Sequence, residues 1–243
     1  MNGESKIVVI KIGGSILCPD LVDSFNFPFT IEFRDKILHP YISRGYKFII
    51  TVGGGQLARK FQHRLKEFSV RENYQHRVGI VATLMNAVCF QSVIPELAHQ
   101  RIIALDDYLQ IFKFVNNKTF ENSPVLLSCG GHRAESSTDM DAVLLAMRMG
   151  ANGVISLKNI DGIYTSDPKI NENARLVESM DWDDYLNIIN SANSHNPGDS
   201  WAIDPIAARE ARDNNVEFVV IGKDLENLKK VLDGESFIGS IVK

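Results

Sequence analysis

Lys11 stands near the end of an apolar run, KIVVIKIGGS (6–15), that stops on Gly13, Gly14 and Ser15. A second run, IITVGGG (49–55), stops on Gly53, Gly54 and Gly55. Glycines there let the backbone turn sharply and leave its N–H groups uncovered. A row of such groups with a helix starting next binds anions. The Lys11 ammonium can meet the same anion. Arg59 lies about one turn into the helix that opens QLARKF, where its guanidinium can fork onto a phosphate. Two such loops suggest two anionic groups; the first loop taken alone reads equally well as a tight turn beside a solvated lysine.

A third glycine pair, Gly130 and Gly131, follows PVLLS (124–128) and opens the stretch SCGGHRAESSTDMDAVLLA (128–146). Hydroxyls and acids precede an apolar helix. Thr138 with Asp141 three residues on fits a capping box. Asp139 either complements the helix N-terminus or belongs to a charged site beside the glycine-ended strands. Further on, NIDGIYTSDPK (159–169) turns at Asp161-Gly162 and breaks at Asp167-Pro168, the pattern of a hairpin at the sheet's ligand edge.

Other chemistries find less support. GGGQLA (53–58) matches the dinucleotide fingerprint G-x-G-x-x-A, which requires an acidic residue about 20 positions on at a strand end. Glu72 has that distance, but its surroundings (69–88) read as helix. No G-x-x-x-x-G-K-[ST] loop, H-E-x-x-H pair, Cys/His cluster or G-x-S-x-G elbow occurs. No metal ligand set is expected.

The elements that must carry these loops are short, continuous, β-branched runs: 7–12, 47–52, 101–105, 124–128, 153–157 and 217–222. Continuous rather than alternating runs indicate parallel strands buried on both faces. Helical patterns separate them, with Leu57, Phe61, Leu65 and Phe68 sharing one face of 54–68, and further helices over 138–150, 204–214 and 225–232. Strand and helix in alternation predict a three-layer α/β/α sandwich with a mainly parallel central sheet. The 243 residues suffice for one large domain with a sizeable core. A net charge of −4 gives no electrostatic case for nucleic acid. No apolar run approaches 18 residues, so no membrane partner is expected. Three cysteines without ligand-like spacing fit reduced thiols in the cytoplasm. The Asn- and Ser-rich stretch 190–201 reads as a surface loop or a lid.

The ordered set VVIKIGGSIL, VGGGQLAR, GIVATLMNAV, STDMDAVLLA, KNIDGIYTSDPK, IDPIAAREARD and GSIV resembles the amino acid kinase superfamily, most closely its uridylate (UMP) kinases. The resemblance covers nearly the whole chain. It implies one domain over 1–243, with an acceptor-binding half (1–150) and an ATP-binding half (151–243). It implies transfer of the γ-phosphoryl group of ATP, with Mg²⁺, to a small phosphorylated acceptor, UMP first. Lys11 and Asp139 would be catalytic. Gly13, Gly14, Ser15, Lys158, Asn159, Asp161, Tyr164, Asp167, Pro168 and Lys169 would bind ATP. Gly54, Gly55, Arg59, His76, Gly131, His132 and Thr138 would bind the acceptor. His76 stands where uridylate kinases usually carry an acidic ribose contact, which keeps isopentenyl phosphate or another small phosphate open as acceptor. A non-catalytic nucleotide-binding relative and, behind it, a dinucleotide oxidoreductase are the readings from other classes. Relatives also imply a homo-oligomer, a dimer or hexamer.

Overall fold

The computed structural model describes residues 6–22, 24–103, 120, 122–130, 137–166, 168, 170–191 and 201–243. Gly131, His132, Asp167 and Lys169, most of 190–201 and most of 114–123 lie outside them.

Seven strands form one sheet in the order β3-β2-β1-β4-β8-β9-β7. These are β1 (Ile7–Ile12), β2 (Lys47–Val52), β3 (Val125–Cys129), β4 (Gly153–Leu157), β7 (Ser179–Met180), β8 (Glu217–Ile221) and β9 (Ser240–Val242). Strands β3, β2, β1, β4 and β8 are parallel, while β9 runs antiparallel to β8. Strands β5 (Ile163–Tyr164) and β6 (Leu176–Val177) pair separately as an antiparallel hairpin, at the place that the DG turn marks.

The continuous apolar runs are explained by cover on both faces. Ile10, Ile12, Phe48, Ile50 and Leu127 enter one core cluster with Phe33 and Phe90. Their alternating neighbours Val9, Ile49, Leu126, Val154 and Phe218 enter a second cluster on the opposite face. The first layer of helices includes α2 (Phe27–Phe33), continued through a π-helical segment (Arg34–Leu38) into α3 (His39–Ser43), and also α5 (Glu72–Val93). The second includes α6 (Thr138–Met149), α7 (Trp182–Ser191) and α8 (Pro205–Asp213). Helix α1 (Gly14–Leu17) follows β1, α4 (Gly55–Glu67) follows β2 and packs on α5 and α1, and α9 (Leu225–Asp233) closes the first layer.

Of the segment 101–105, residues 101–103 are described and give an isolated parallel bridge, Ile103 to Ser128, beside a second one from Ala98 to Val125; 104 and 105 lie outside the described residues. The cap of α6 is Ser137, whose Oγ accepts from the Met140 N–H; Thr138 is the first helical residue and turns its methyl toward Gly130. On α4, Leu57 and Leu65 of the shared apolar face are half-buried while Phe61 and Phe68 are exposed, and the fully buried residues of the helix are Gly55 and Ala58.

The strand order has one functional consequence. From β1 the sheet grows toward β2 and β3 on one side and toward β4 and β8 on the other. In open parallel sheets, the loops leaving such a reversal diverge and open a crevice at the strands' carboxyl ends. Lys11 is the penultimate residue of β1, and Lys158 immediately follows β4.

Candidate active site

At that crevice the two glycine loops touch, backbone against backbone. A methyl group built on Gly14 would stand 2.1 Å from the Gly55 nitrogen and 2.7 Å from the Gly53 carbonyl carbon. One built on Gly53 would stand 2.5 Å from the Gly14 nitrogen. Gly55 has φ +65°, in the left-handed region, and its missing side chain leaves room for the Gly14 carbonyl. The contact is fastened from three sides. The Gly13 N–H donates to the Leu157 carbonyl (2.8 Å), the Gly53 N–H to Ile12 (3.0 Å) and the Gln56 N–H to Cys18 (3.0 Å). Because Gly14, Ser15 and Gly55 open helices and Gly54 caps one, their N–H groups have no intrahelical acceptor.

Beside the loops lies a buried charged triad. Lys11 Nζ is 3.0 Å from Asp139 Oδ1, and Lys158 Nζ donates to Asp139 Oδ2 at 3.1 Å. All three side chains are largely withdrawn from solvent, at 8%, 13% and 7% exposure for Lys11, Lys158 and Asp139. Burial alone pushes the Asp139 carboxyl up, but the two ammonium groups outweigh it and hold it at about 2. Burial pulls Lys158 down to about 8, with Lys11 adding to that and Asp139 opposing it. One carboxylate thus stands between two cations, beside two rows of N–H donors.

Asp139 is held by more than its lysines. The Asp204 N–H donates to Asp139 Oδ2 at 3.2 Å. Asp204 itself caps α8, its Oδ1 accepting from Ile206 and Ala207. Burial raises its carboxyl above the ordinary range, and Asp139 raises it further. Lys158 Nζ also donates to the Trp201 carbonyl at 3.3 Å. The segment carrying Trp201 and Asp204 is pinned by Tyr185, whose hydroxyl donates to the Ile203 carbonyl and accepts from the Ile203 N–H, both at 2.7 Å.

Other sequence-selected residues arrange themselves around this centre. Asn159 Nδ2 reaches the Ser15 carbonyl at 3.3 Å, joining the β4 loop to the β1 loop. Asp161 packs over Gly222, its Oδ1 2.5 Å from where a methyl group there would stand. Tyr164 lies half-buried on β5 and Pro168 is exposed beyond it; no hydrogen bond or ion pair among the described residues joins either to the triad. On the β2 side, Arg59 is exposed on α4 and His76 half-buried on α5, both without an ion pair among the described residues.

Two polar residues on the apolar helix α5 belong to the site's frame and were not singled out from the sequence. Thr83 Oγ1 accepts from the Gly130 N–H at 2.9 Å, and Asn86 Nδ2 donates to the Gly53 carbonyl at 2.7 Å. Both are buried. Two amide-sized or smaller polar groups three residues apart, inside IVATLMNAV, were the available signal, because a buried polar side chain needs a partner.

The fold and these loops define an α/β sandwich that brings two glycine-ended strand ends together beside a lysine-flanked aspartate. The chain belongs to the amino acid kinase family, whose pattern matches residues 6–222. It is 30% identical over 231 residues to the uridylate kinase of Pyrococcus abyssi, covering 94% of this chain and 96% of that one. It is 28% identical to the uridylate kinase of Archaeoglobus fulgidus, with 97% and 99% covered. The crystal structure of uridylate kinase from Archaeoglobus fulgidus superposes with a TM-score of 0.77, covering 98% of this chain and all of that one. The UMP kinase structure from Bacillus anthracis, 21% identical, gives the same score with 98% and 96% covered and shares the fold.

Proposed function

We propose that this chain transfers the γ-phosphoryl group of ATP to the phosphate of UMP. The observation that carries the reading is the contact of two glycine loops beside the Lys11–Asp139–Lys158 triad. A loop that binds one phosphate and a loop that binds another, packed backbone on backbone, bring two repelling anions within bonding range. The uridylate kinases among its relatives point to UMP as the acceptor.

An acceptor phosphate is already nucleophilic, so the reaction calls for alignment and charge neutralisation more than for a general base. Gly13, Gly14 and Ser15 hold the donor phosphates and the transferring group. Gly54, Gly55 and Arg59 hold the acceptor phosphate, with Thr138 and His76 along the acceptor. Lys11 and Lys158 approach the transferring oxygens as negative charge spreads over them. Asp139 keeps the two ammonium groups in place when the phosphates are absent. Asn159, Asp161, Tyr164 and Pro168 border the nucleotide, which assigns 1–150 mainly to the acceptor and 151–243 mainly to ATP.

Mg²⁺ fits as a passenger of the nucleotide. No cluster of three acidic, His or Cys groups occurs among the described residues, and both Asp139 oxygens face ammonium groups. Bound to the donor phosphates, the ion would neutralise their charge, with water completing its shell. No helix among the described residues is long and apolar enough to cross a membrane. The thiols Cys18, Cys89 and Cys129 suit a reducing cytoplasm.

The test is coupled ADP release with ATP and Mg²⁺ over UMP, CMP and isopentenyl phosphate. UMP is expected to give the highest kcat/KM. Arg59→Ala is expected to raise the KM for UMP about tenfold or more, and that for ATP by no more than about twofold, as loss of one charged phosphate contact should. Silence with every monophosphate, alongside intact ATP binding, would make the chain a non-catalytic relative.

A homo-oligomer belongs to the same reading. Val81, Leu84, Met85 and Val88 form an exposed stripe along α5 at i, i+3, i+4 and i+7. A contiguous apolar helix face of this kind marks an association surface. Sedimentation velocity should find the wild type as a dimer or larger and Val81→Glu/Val88→Glu as a smaller species; a wild-type monomer at micromolar concentration sinks the idea.

A further inference from the structure

Lys11 has company in its row of the sheet. Register places Thr51 of β2 on one side of it and Ser156 of β4 on the other, with Ser128 of β3 beyond Thr51. Strand alternation puts this row on the same face as Val9, Ile49, Leu126 and Val154, one layer nearer the carboxyl ends. The lower layer is dry core. The upper layer is hydroxyls around a lysine, and it is just as inaccessible: Thr51 and Ser156 are 0% exposed. Ser128 Oγ reaches the Cys129 carbonyl at 3.3 Å. Thr51 Oγ1 and Ser156 Oγ have no hydrogen-bond partner among the described residues.

Buried hydroxyls without partners cost stability, and the cost is avoidable here. Valine has the shape of threonine, and alanine differs from serine by one atom. The two unpaired hydroxyls are moreover not scattered; they occupy the two strand positions that flank Lys11. Adjacent strands lie about 4.8 Å apart, so the two hydroxyls flank the Lys11 side chain on one face of the sheet, and a buried water is the group that would pair them. The ammonium has three N–H donors, and its ion-pair partner is Asp139 Oδ1, an oxygen that itself has no hydrogen bond of good geometry among the described residues.

We propose that Thr51 and Ser156 are positioning residues for phosphoryl transfer, each holding the Lys11 ammonium through one buried water so that its remaining donors aim at the transferring group. The proposal rests on the phosphotransfer reading above and deepens it. It separates stability from turnover in a way that a packing role does not. Thr51→Val and Ser156→Ala are expected to lower kcat about tenfold each, because small misplacements of an aimed charge are costly in rate. KM for ATP and for UMP should stay within about twofold, and the melting temperature should change little, because valine and alanine keep the packing and only one water-mediated hydrogen bond is lost. Thr51→Ser, which restores the hydroxyl, should return most of the lost kcat.

A second readout does not depend on the acceptor's identity: calorimetric binding of ADP with aluminium fluoride, compared with ADP alone. The variants should lose the tighter binding of the aluminium fluoride complex and keep that of ADP. Wild-type protein that shows the tighter complex but does not turn over UMP would sink the acceptor assignment and leave this proposal to the variants. Wild-type kcat in both variants overturns the proposal. With no UMP turnover, undiminished aluminium fluoride binding in both overturns it. Loss of kcat in parallel with melting temperature, unrelieved by Thr51→Ser, also overturns it.

Discussion

Asp139→Asn should lose turnover and stability together, and should recover much of the stability when nucleotide binds. The side chain is buried between Lys11 and Lys158, and an amide of the same shape leaves two ammonium groups facing each other without a counter-charge. Removing one partner of a buried ion pair costs about 3–5 kcal/mol, because the charge left behind is uncompensated. For a chain of this size that corresponds to a fall in melting temperature on the order of 10 °C. Burial and Lys11 already pull Lys158 down, and Asp139 is what opposes them, so the variant's Lys158 should give up its proton nearer neutral pH. Turnover should fall by about 10²–10³, the usual consequence of losing one preorganised electrostatic element. The discriminating measurement is the thermal shift with ADP and Mg²⁺. Phosphates supply the negative charge the variant lacks, so the nucleotide-induced rise should be larger in Asp139→Asn than in wild type. An equal or smaller rise, or near-wild-type turnover, would show that Asp139 is not the counter-ion of the phosphate-binding lysines.

Acid gives the same pairing a second signature. The Asp139 carboxyl sits at about 2 in the folded protein, below its ordinary value. A depressed carboxyl contributes stability that is complete above the unfolded value and lost as pH falls through the folded one. Above neutrality Lys158 acts in the opposite sense to a gained ion pair. Its folded value of about 8 lies below its unfolded one, so between those values the unfolded chain binds the extra proton and stability rises with pH. The triad is therefore an electrostatic compromise, one that two bound phosphates would relieve on the function proposed above.

The sequence made the sandwich legible for a local reason. A run such as IVVIKI needs cover on both faces whatever surrounds it, and the two core clusters that share its alternate residues supply that cover. The glycine loops were legible on the same terms, since only a turn or a close approach uses two or three successive glycines at a strand end. What pattern could not supply was who meets whom. Lys158 and Asp139 are 19 residues apart and meet only because α6 lies over the β1–β4 side of the sheet. Asp204 reaches the same carboxylate from 65 residues away through its backbone N–H, a group that every non-proline residue carries and no sequence pattern marks. The cap of α6 slipped by one position because Ser137 and Thr138 are chemically equivalent choices. Which of the two caps was settled by Gly130, against which the Thr138 methyl packs.

Gly14→Ala should abolish turnover more completely than any side-chain change at the site. The added methyl group would overlap the backbone of the opposing loop at Gly53 and Gly55, with a closest approach of 2.1 Å. No flexible side-chain end is there to give way. The Gly55 nitrogen belongs to the first residue of α4, and the Gly53 carbonyl accepts a hydrogen bond from Asn86 on α5. Relief therefore requires the two loops to separate by more than about 1 Å, carrying two phosphate sites apart with them, and a misplacement of that size costs about 10²-fold in rate even where chemistry is otherwise intact. Here it acts on the distance between attacking and leaving oxygens, so the loss should exceed that figure, while ATP binding, which uses only one of the two loops, should weaken much less. Circular dichroism together with ATP affinity separates that outcome from unfolding. A folded Gly14→Ala protein that turned over at a rate near wild type would mean that the loop contact does not set the distance between the reacting phosphates, and the idea that two strand ends meet here to bring two anions together would fail with it.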